Sequence, residues 1–253
     1  MKLKLKILYT GFRYYDRLRQ GLYRKKFRLL EKICSGKTGI EIGGPTQLFR
    51  EKFFSVYDIA GQIDGVNFSA NTVWAKLEGG KYTYGEGRAG KLFEVDAVDM
   101  DIVPAATYDF LLSSHNLEHI ANPLKAVAHW HRVLKPGGYI ILILPDKRFT
   151  FDHKRPYTRF DHILSDYNQH MQENDLTHLE EVLALSDNSY QWEAPKAEAE
   201  RRADLANNLQ TRTMHHHVFD AGLVQAIFDY TGFEMQDQYF KPPFHDIYIG
   251  RKK

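Results

Sequence analysis

Histidine is the side chain best suited to move a proton near neutral pH, because its ordinary pKa lies there. The sequence sets histidines in three places where they could do so. His115 follows a short apolar run, Phe110-Leu111-Leu112, and two small polar residues, Ser113 and Ser114. His153 follows Asp152, a neighbour able to orient it as a base. His215, His216 and His217 are consecutive. His115 and His153 are the candidate catalytic bases. Asp152, His153, His162 and the triple histidine include metal-ligand types, but no tight zinc spacing joins them, so no metal is assigned. His119 sits inside a helix start and reads as packing. Cys34 precedes the first core strand, which argues against a nucleophile there.

Such groups need elements to hold them. Residues 108–146 read as strand, turn, helix, turn, strand. The apolar run 110–112 suits a buried parallel strand that ends in a polar crevice at Ser113-Ser114-His115-Asn116. A helix is expected from Pro123 to Leu134, with Asn122 as N-cap and Pro123 at its first position. Lys135-Pro136-Gly137-Gly138 then stops it, and Tyr139–Leu144 is the next buried strand. This is a βαβ unit, whose ligand crevice belongs at the carboxyl ends of its strands.

Three stretches carry a resemblance: Tyr108-Asp109-Phe110, Leu117-Glu118-His119 and Arg132-Val133-Leu134-Lys135-Pro136-Gly137-Gly138. Together they resemble the class I S-adenosylmethionine-dependent methyltransferases, in particular the type 11 group. Thr38-Gly39-Ile40-Glu41-Ile42-Gly43-Gly44-Pro45-Thr46 is the second anchor. The resemblance spans about 35–150 and 213–250. It implies a Rossmann-like α/β fold, a mostly parallel seven-stranded sheet with a closing antiparallel strand pair, and S-adenosylmethionine as cofactor. It also implies site residues. Glu41 matches the family's acidic strand residue, and Gly43 and Gly44 its turn, which lets backbone approach the cofactor closely. Asp96, with Ala97 beside it, matches the contact to the adenine amino group. An acidic residue near the second strand should take both ribose hydroxyls, since a carboxylate accepts two hydrogen bonds at once; Asp64 is preferred over Asp58. Ser114 and His115 end the strand that faces the transferred methyl group. The family's third glycine is absent and Pro45 stands in the turn, which removes a backbone donor. The absence of Gly-x-Gly-x-x-Gly argues against a dinucleotide site.

Hydrophobic content of 43% and charged content of 26% are those of a soluble globular protein. One cysteine excludes a disulfide framework and fits a reducing compartment. No apolar run is long enough for a membrane span, and the opening Met-Lys-Leu-Lys-Leu-Lys lacks the core of a secretion signal. A cytoplasmic enzyme is expected. Residues 1–32 hold eleven Lys or Arg and two acids, a net charge of about +9, and the rest of the chain carries about −7. Residues 1–34 thus read as a basic helical arm that packs on the domain or touches anionic lipid. The methyltransferase domain is expected over 35–253, with 147–212 as a helical insertion capping the substrate. Residues 79–90 read as a solvated, glycine-rich surface loop, with a lid or substrate contact through Tyr82 and Tyr84 as the alternative, and Met214–Phe219 introduce a helix that runs through about Thr231.

The acceptor expected from this reading is oxygen on a small molecule or a cell-envelope saccharide. A nucleic-acid methyltransferase is the alternative, although no Asn-Pro-Pro-Tyr-like tetrapeptide follows the fourth strand, where Ser-Ser-His-Asn stands instead. A non-catalytic S-adenosylmethionine-binding regulator is a further one.

Overall fold

The computed structural model describes residues 28–50, 55–72, 80–187, 190 and 196–253. The basic arm therefore lies outside the described residues, except for its end. Residues 28–34 are helical (α1), and Leu30, Ile33 and Cys34 are buried against the sheet.

In chain order the strands are β1 (Thr38–Ile42), β2 (Gln62–Asn67), β3 (Lys81–Tyr84), β4 (Arg88–Glu94), β5 (Tyr108–Ser114), β6 (Leu134–Pro145), β7 (Phe233–Lys241) and β8 (His245–Lys252). They form one sheet in the order β3-β4-β2-β1-β5-β6-β8-β7. The five strands from β4 to β6 are parallel. β8 runs antiparallel to β6, and β7 antiparallel to β8, which is the expected closing pair. The fold is the Rossmann-like α/β fold expected, with eight strands among the described residues in place of seven.

The eighth strand is β3, antiparallel to β4 at the edge, where the sequence suggested a loop. Gly85 and Gly87, both at positive φ, turn the hairpin. Tyr82 and Tyr84 alternate onto one face and are fully buried, so neither is free to contact substrate.

Strand alternation splits the core. Phe110 and Leu112 of β5 face the side that holds Tyr57, Tyr82 and Ile141. Leu111 faces the other, with Trp130, Ile140 and Phe228. The short turn α2 (Val56–Ile59) packs on the first side. On the second lies α3 (Pro123–Val133), capped as expected by Asn122, whose side chain accepts from the Lys125 amide at 3.1 Å. Leu134 to Gly138 do not form a free loop. They already belong to β6, and a bulge shifts the register from Tyr108↔Leu134 to Phe110↔Tyr139.

Between β6 and the last helix come α4 (Phe160–Asn168), α5 (Leu179–Leu185), α6 (Glu198–Ala206) and α7 (Asn208–Thr211). Ile163 of α4 joins the main core, whereas Leu179, Val182, Leu205 and Met214 form a small cluster of their own. Residues 213–220 belong to no helix or strand, and they lead into α8 (Ala221–Thr231), which ends at Thr231 as expected from sequence. Asp220 caps it, accepting from the Leu223 amide at 2.8 Å.

Candidate functional site

β1 and β5 are neighbours, and the chain leaves them toward opposite edges of the sheet. Such a switch point opens a crevice at the carboxyl ends of the strands. A cavity of about 250 Å³ lies there, lined by residues that include Gly43, Asn67, Asp96, Ala97, Ser114 and His115. Gly43 has φ +75°, and a β-carbon there would stand 2.5 Å from Asn116 Nδ2. Only glycine meets both conditions. Ser114 Oγ and Asn116 Oδ1 are buried at this wall with no hydrogen-bond partner among the described residues. Buried polar atoms are nearly always paired, so these two suit a polar ligand.

Three of the expected cofactor residues lie elsewhere. Glu41 is buried behind the turn: Oε1 accepts from the Thr46 amide at 3.0 Å, and Oε2 from the Tyr57 and Tyr82 hydroxyls, each at 2.6 Å. Burial pushes its carboxyl up against the lowering by these donors. Gly44 also faces inward, since a β-carbon there would meet the Tyr82 hydroxyl at 2.2 Å. Asp64 sits mid-strand and is spent on the fold. Its Oδ1 accepts from the Lys91 amide and its Oδ2 from the Tyr108 hydroxyl. Asp58 is exposed on α2. The end of β2 instead presents Asn67 and Phe68 to the cavity, with Asn67 Nδ2 donating to Gly44 O at 2.8 Å.

Asp96 follows β4 and lines the cavity with Ala97. Its Oδ1 accepts from the Val98 amide, and its Oδ2 pairs with Arg212 at 2.7 Å. Arg212 also lies over the Phe68 ring at 4.7 Å and reaches Glu173 at 3.5 Å. It comes from beyond α7, and no local pattern in the sequence pointed to it.

A second cavity, of about 430 Å³, adjoins the first; His115 and His119 line both. Phe149, Phe151, Phe244 and His215 form much of its wall. His115, at φ +48°, places Nε2 2.8 Å from His245 Nδ1 and Nδ1 3.6 Å from Glu118. Glu118 lines the second cavity as well. Burial would push its carboxyl up, but His115, His119 and His215 around it hold it below the usual carboxylate range.

The expected base at His153 is not at either cavity. Its ring packs on Tyr190 at 4.6 Å, and its Nδ1 lies 3.2 Å from Thr150 O. The histidine that Asp152 orients is His215, with Nδ1 2.5 Å from Oδ2. Arg155, 1% exposed, anchors this group: it donates to Asp152 Oδ1, His215 O, His216 O and Glu181 Oε1. The sequence separation of 63 residues hid the Asp152–His215 pair.

No helix among the described residues is long and apolar enough to cross a membrane. No curated protein matches the sequence at a significant level. Among solved structures, an S-adenosylmethionine-dependent methyltransferase from Mesorhizobium loti superposes with a TM-score of 0.53 at 13% identity, over 90% of this chain and 96% of that one. An S-adenosylmethionine-dependent methyltransferase from Aquifex aeolicus gives a TM-score of 0.47 at 11% identity, over 90% and 89%. The first likeness establishes the fold. The family model for the methyltransferase domain matches residues 15–238. That match takes in the glycine turn, the βαβ unit and the whole lining of the first cavity, and the chain belongs to the methyltransferase domain family.

Proposed function

We propose that the protein methylates an oxygen of a small molecule or of a cell-envelope saccharide. S-adenosylmethionine is the methyl donor. The observation that carries this reading is the meeting of two cavities at His115, one beneath the glycine turn and one walled by aromatic rings.

Bound in the first cavity, the donor supplies an electrophilic methyl group on a sulfonium sulfur. Gly43 gives its amino-acid part a bare backbone edge, and Ser114 and Asn116 offer their unused polar atoms. Asp96 and Ala97 stand at the adenine end, and Asn67 and Phe68 at the ribose. The second cavity holds the acceptor. Flat walls from Phe149, Phe151 and Phe244 suit a sugar face or an aromatic ring. His115 stands at the junction, where it takes the acceptor's proton as oxygen gains the methyl group. His245 holds its ring in place through the 2.8 Å contact.

A cavity of about 430 Å³ favours a small acceptor unit over a nucleic-acid strand. The enzyme acts in the cytoplasm, and its basic N-terminal segment meets anionic lipid at the inner face of the membrane. Co-sedimentation with anionic vesicles, lost at high salt, checks that contact.

Calorimetry with S-adenosylmethionine and S-adenosylhomocysteine, on the parent beside Gly43→Arg and Asp96→Ala, tests the donor site. Both substitutions are expected to weaken binding. Incubation with methyl-labelled donor and saccharide or phenolic acceptors tests the rest. Label found on nitrogen or on nucleic acid would sink the oxygen reading.

A further inference from the structure

We propose that Glu118, His119 and His215 bind a divalent transition-metal ion at the floor of the second cavity, where it takes oxygen atoms of the acceptor. One ligand atom from each of these residues lies within 4.8 Å of the others. Two come from the short turn Leu117–His119 after β5, and the third from the segment before α8.

Glu118 is the strongest sign. It is 1% exposed, and both carboxylate oxygens are buried with no hydrogen-bond partner among the described residues. A buried carboxylate without donors is costly unless a cation satisfies it. The nearest cationic candidate, His115 Nδ1, is 3.6 Å away, beyond hydrogen-bond length.

His215 is the second sign. Asp152 Oδ2 holds its Nδ1 at 2.5 Å, and Arg155 holds the other oxygen of Asp152 at 3.0 Å. A carboxylate on one ring nitrogen is how proteins fix the tautomer of a ligating imidazole and present the other nitrogen to the metal. The third ligand, His119, packs its ring edge-on to that of His215 with centroids 4.4 Å apart.

Two imidazoles and one carboxylate suit zinc, iron(II) and related ions, and leave coordination positions open. All three residues line the second cavity, so those positions face the acceptor. The acceptor class that uses them presents two adjacent oxygens, as vicinal sugar hydroxyls and catechols do. That role rests on the reaction proposed above, whereas the metal site does not.

A second cluster, His162, His178 and His217, also gathers ligand atoms within 4.8 Å. It lines neither cavity, and Asp166 already takes His217 Nε2 at 2.9 Å. It is the rival site in the test.

The test strips the full chain with chelator and titrates it with Zn²⁺ and Co²⁺, following heat and the visible spectrum of cobalt. One equivalent is expected to bind. Glu118→Gln and His215→Ala should each abolish tight binding, Asp152→Asn should weaken it about 10- to 100-fold, and His178→Ala should leave it intact. Circular dichroism checks folding; if His215→Ala unfolds, Glu118→Gln and Asp152→Asn still decide. The proposal is overturned if the folded parent binds no metal, if Glu118→Gln and Asp152→Asn bind as the parent does, or if His178→Ala alone removes the ion. The titrations contain no donor. Metal uptake without donor binding would keep this site and sink the methyl-transfer reading, and donor binding without metal uptake would do the reverse.

Discussion

The Tyr82 hydroxyl donates to Glu41 Oε2 across 2.6 Å and thereby ties the edge hairpin to the glycine turn. Tyr57 donates to the same oxygen at the same distance, and the Thr46 amide to the other. Glu41 thus acts on the cofactor cavity from behind. Tyr82→Phe removes one buried hydrogen bond and leaves the carboxyl group with one partner fewer, and a loss of about 1–3 kcal/mol is expected. Urea denaturation measures it. A variant as stable as the parent would show that this bond does not hold the turn.

Gly43→Ala tests the turn from the front. The backbone there is left-handed, which costs a residue with a β-carbon about 1–2 kcal/mol. The new carbon would also push on Asn116, a wall of the donor cavity. Donor affinity by calorimetry should fall while circular dichroism stays native. Unchanged affinity would move the donor away from this turn.

Arg155 is a buried cation whose bonds span Asp152, Glu181 and the backbone at 215 and 216. Arg155→Met leaves Asp152 buried with one partner fewer. Breaking a buried pair in this way costs about 3–5 kcal/mol. Thermal denaturation should show a large drop in midpoint, and His215 should lose its fixed place. A drop of less than a few degrees would mean that water replaces the guanidinium.

Asp246 makes stability depend on pH. Burial, reinforced by Asp146 and opposed by Arg148, pushes its carboxyl up to about 6. A carboxyl with a raised native pKa binds more protons folded than unfolded. Its contribution to stability is therefore present at about pH 4 and lost as pH rises through about 6. Asp246→Asn should remove this slope, so the variant gains on the parent between those values. Melting temperatures across the range check it, and parallel curves for the two proteins would count against the assignment.

Local pattern made the crevice readable. Ser114 and His115 end an apolar run, and Asp96 and Ala97 end another, so both pairs fell at strand ends without knowledge of the rest. Asp64 misled because the strand does not stop there. Gly65 and Val66 pair on both sides, with β1 and with β4, Asn67 pairs with β4, and together they carry β2 three residues further. The glycines around Tyr82 and Tyr84 resembled a loop, yet the hairpin sets the Tyr82 hydroxyl on Glu41 and the Tyr84 ring against Tyr57.

The sequence by itself determined the sheet's parallel core, the glycine turn and the family, since each depends on residues within a few positions of one another. Only the tertiary structure decided which carboxylate meets which histidine. Asp152 and His153 are adjacent in the chain but their side chains part, and Asp152 turns to His215 because Arg155 holds both in one buried group. Partners 63 residues apart leave no spacing to read, and burial, not order along the chain, selects them.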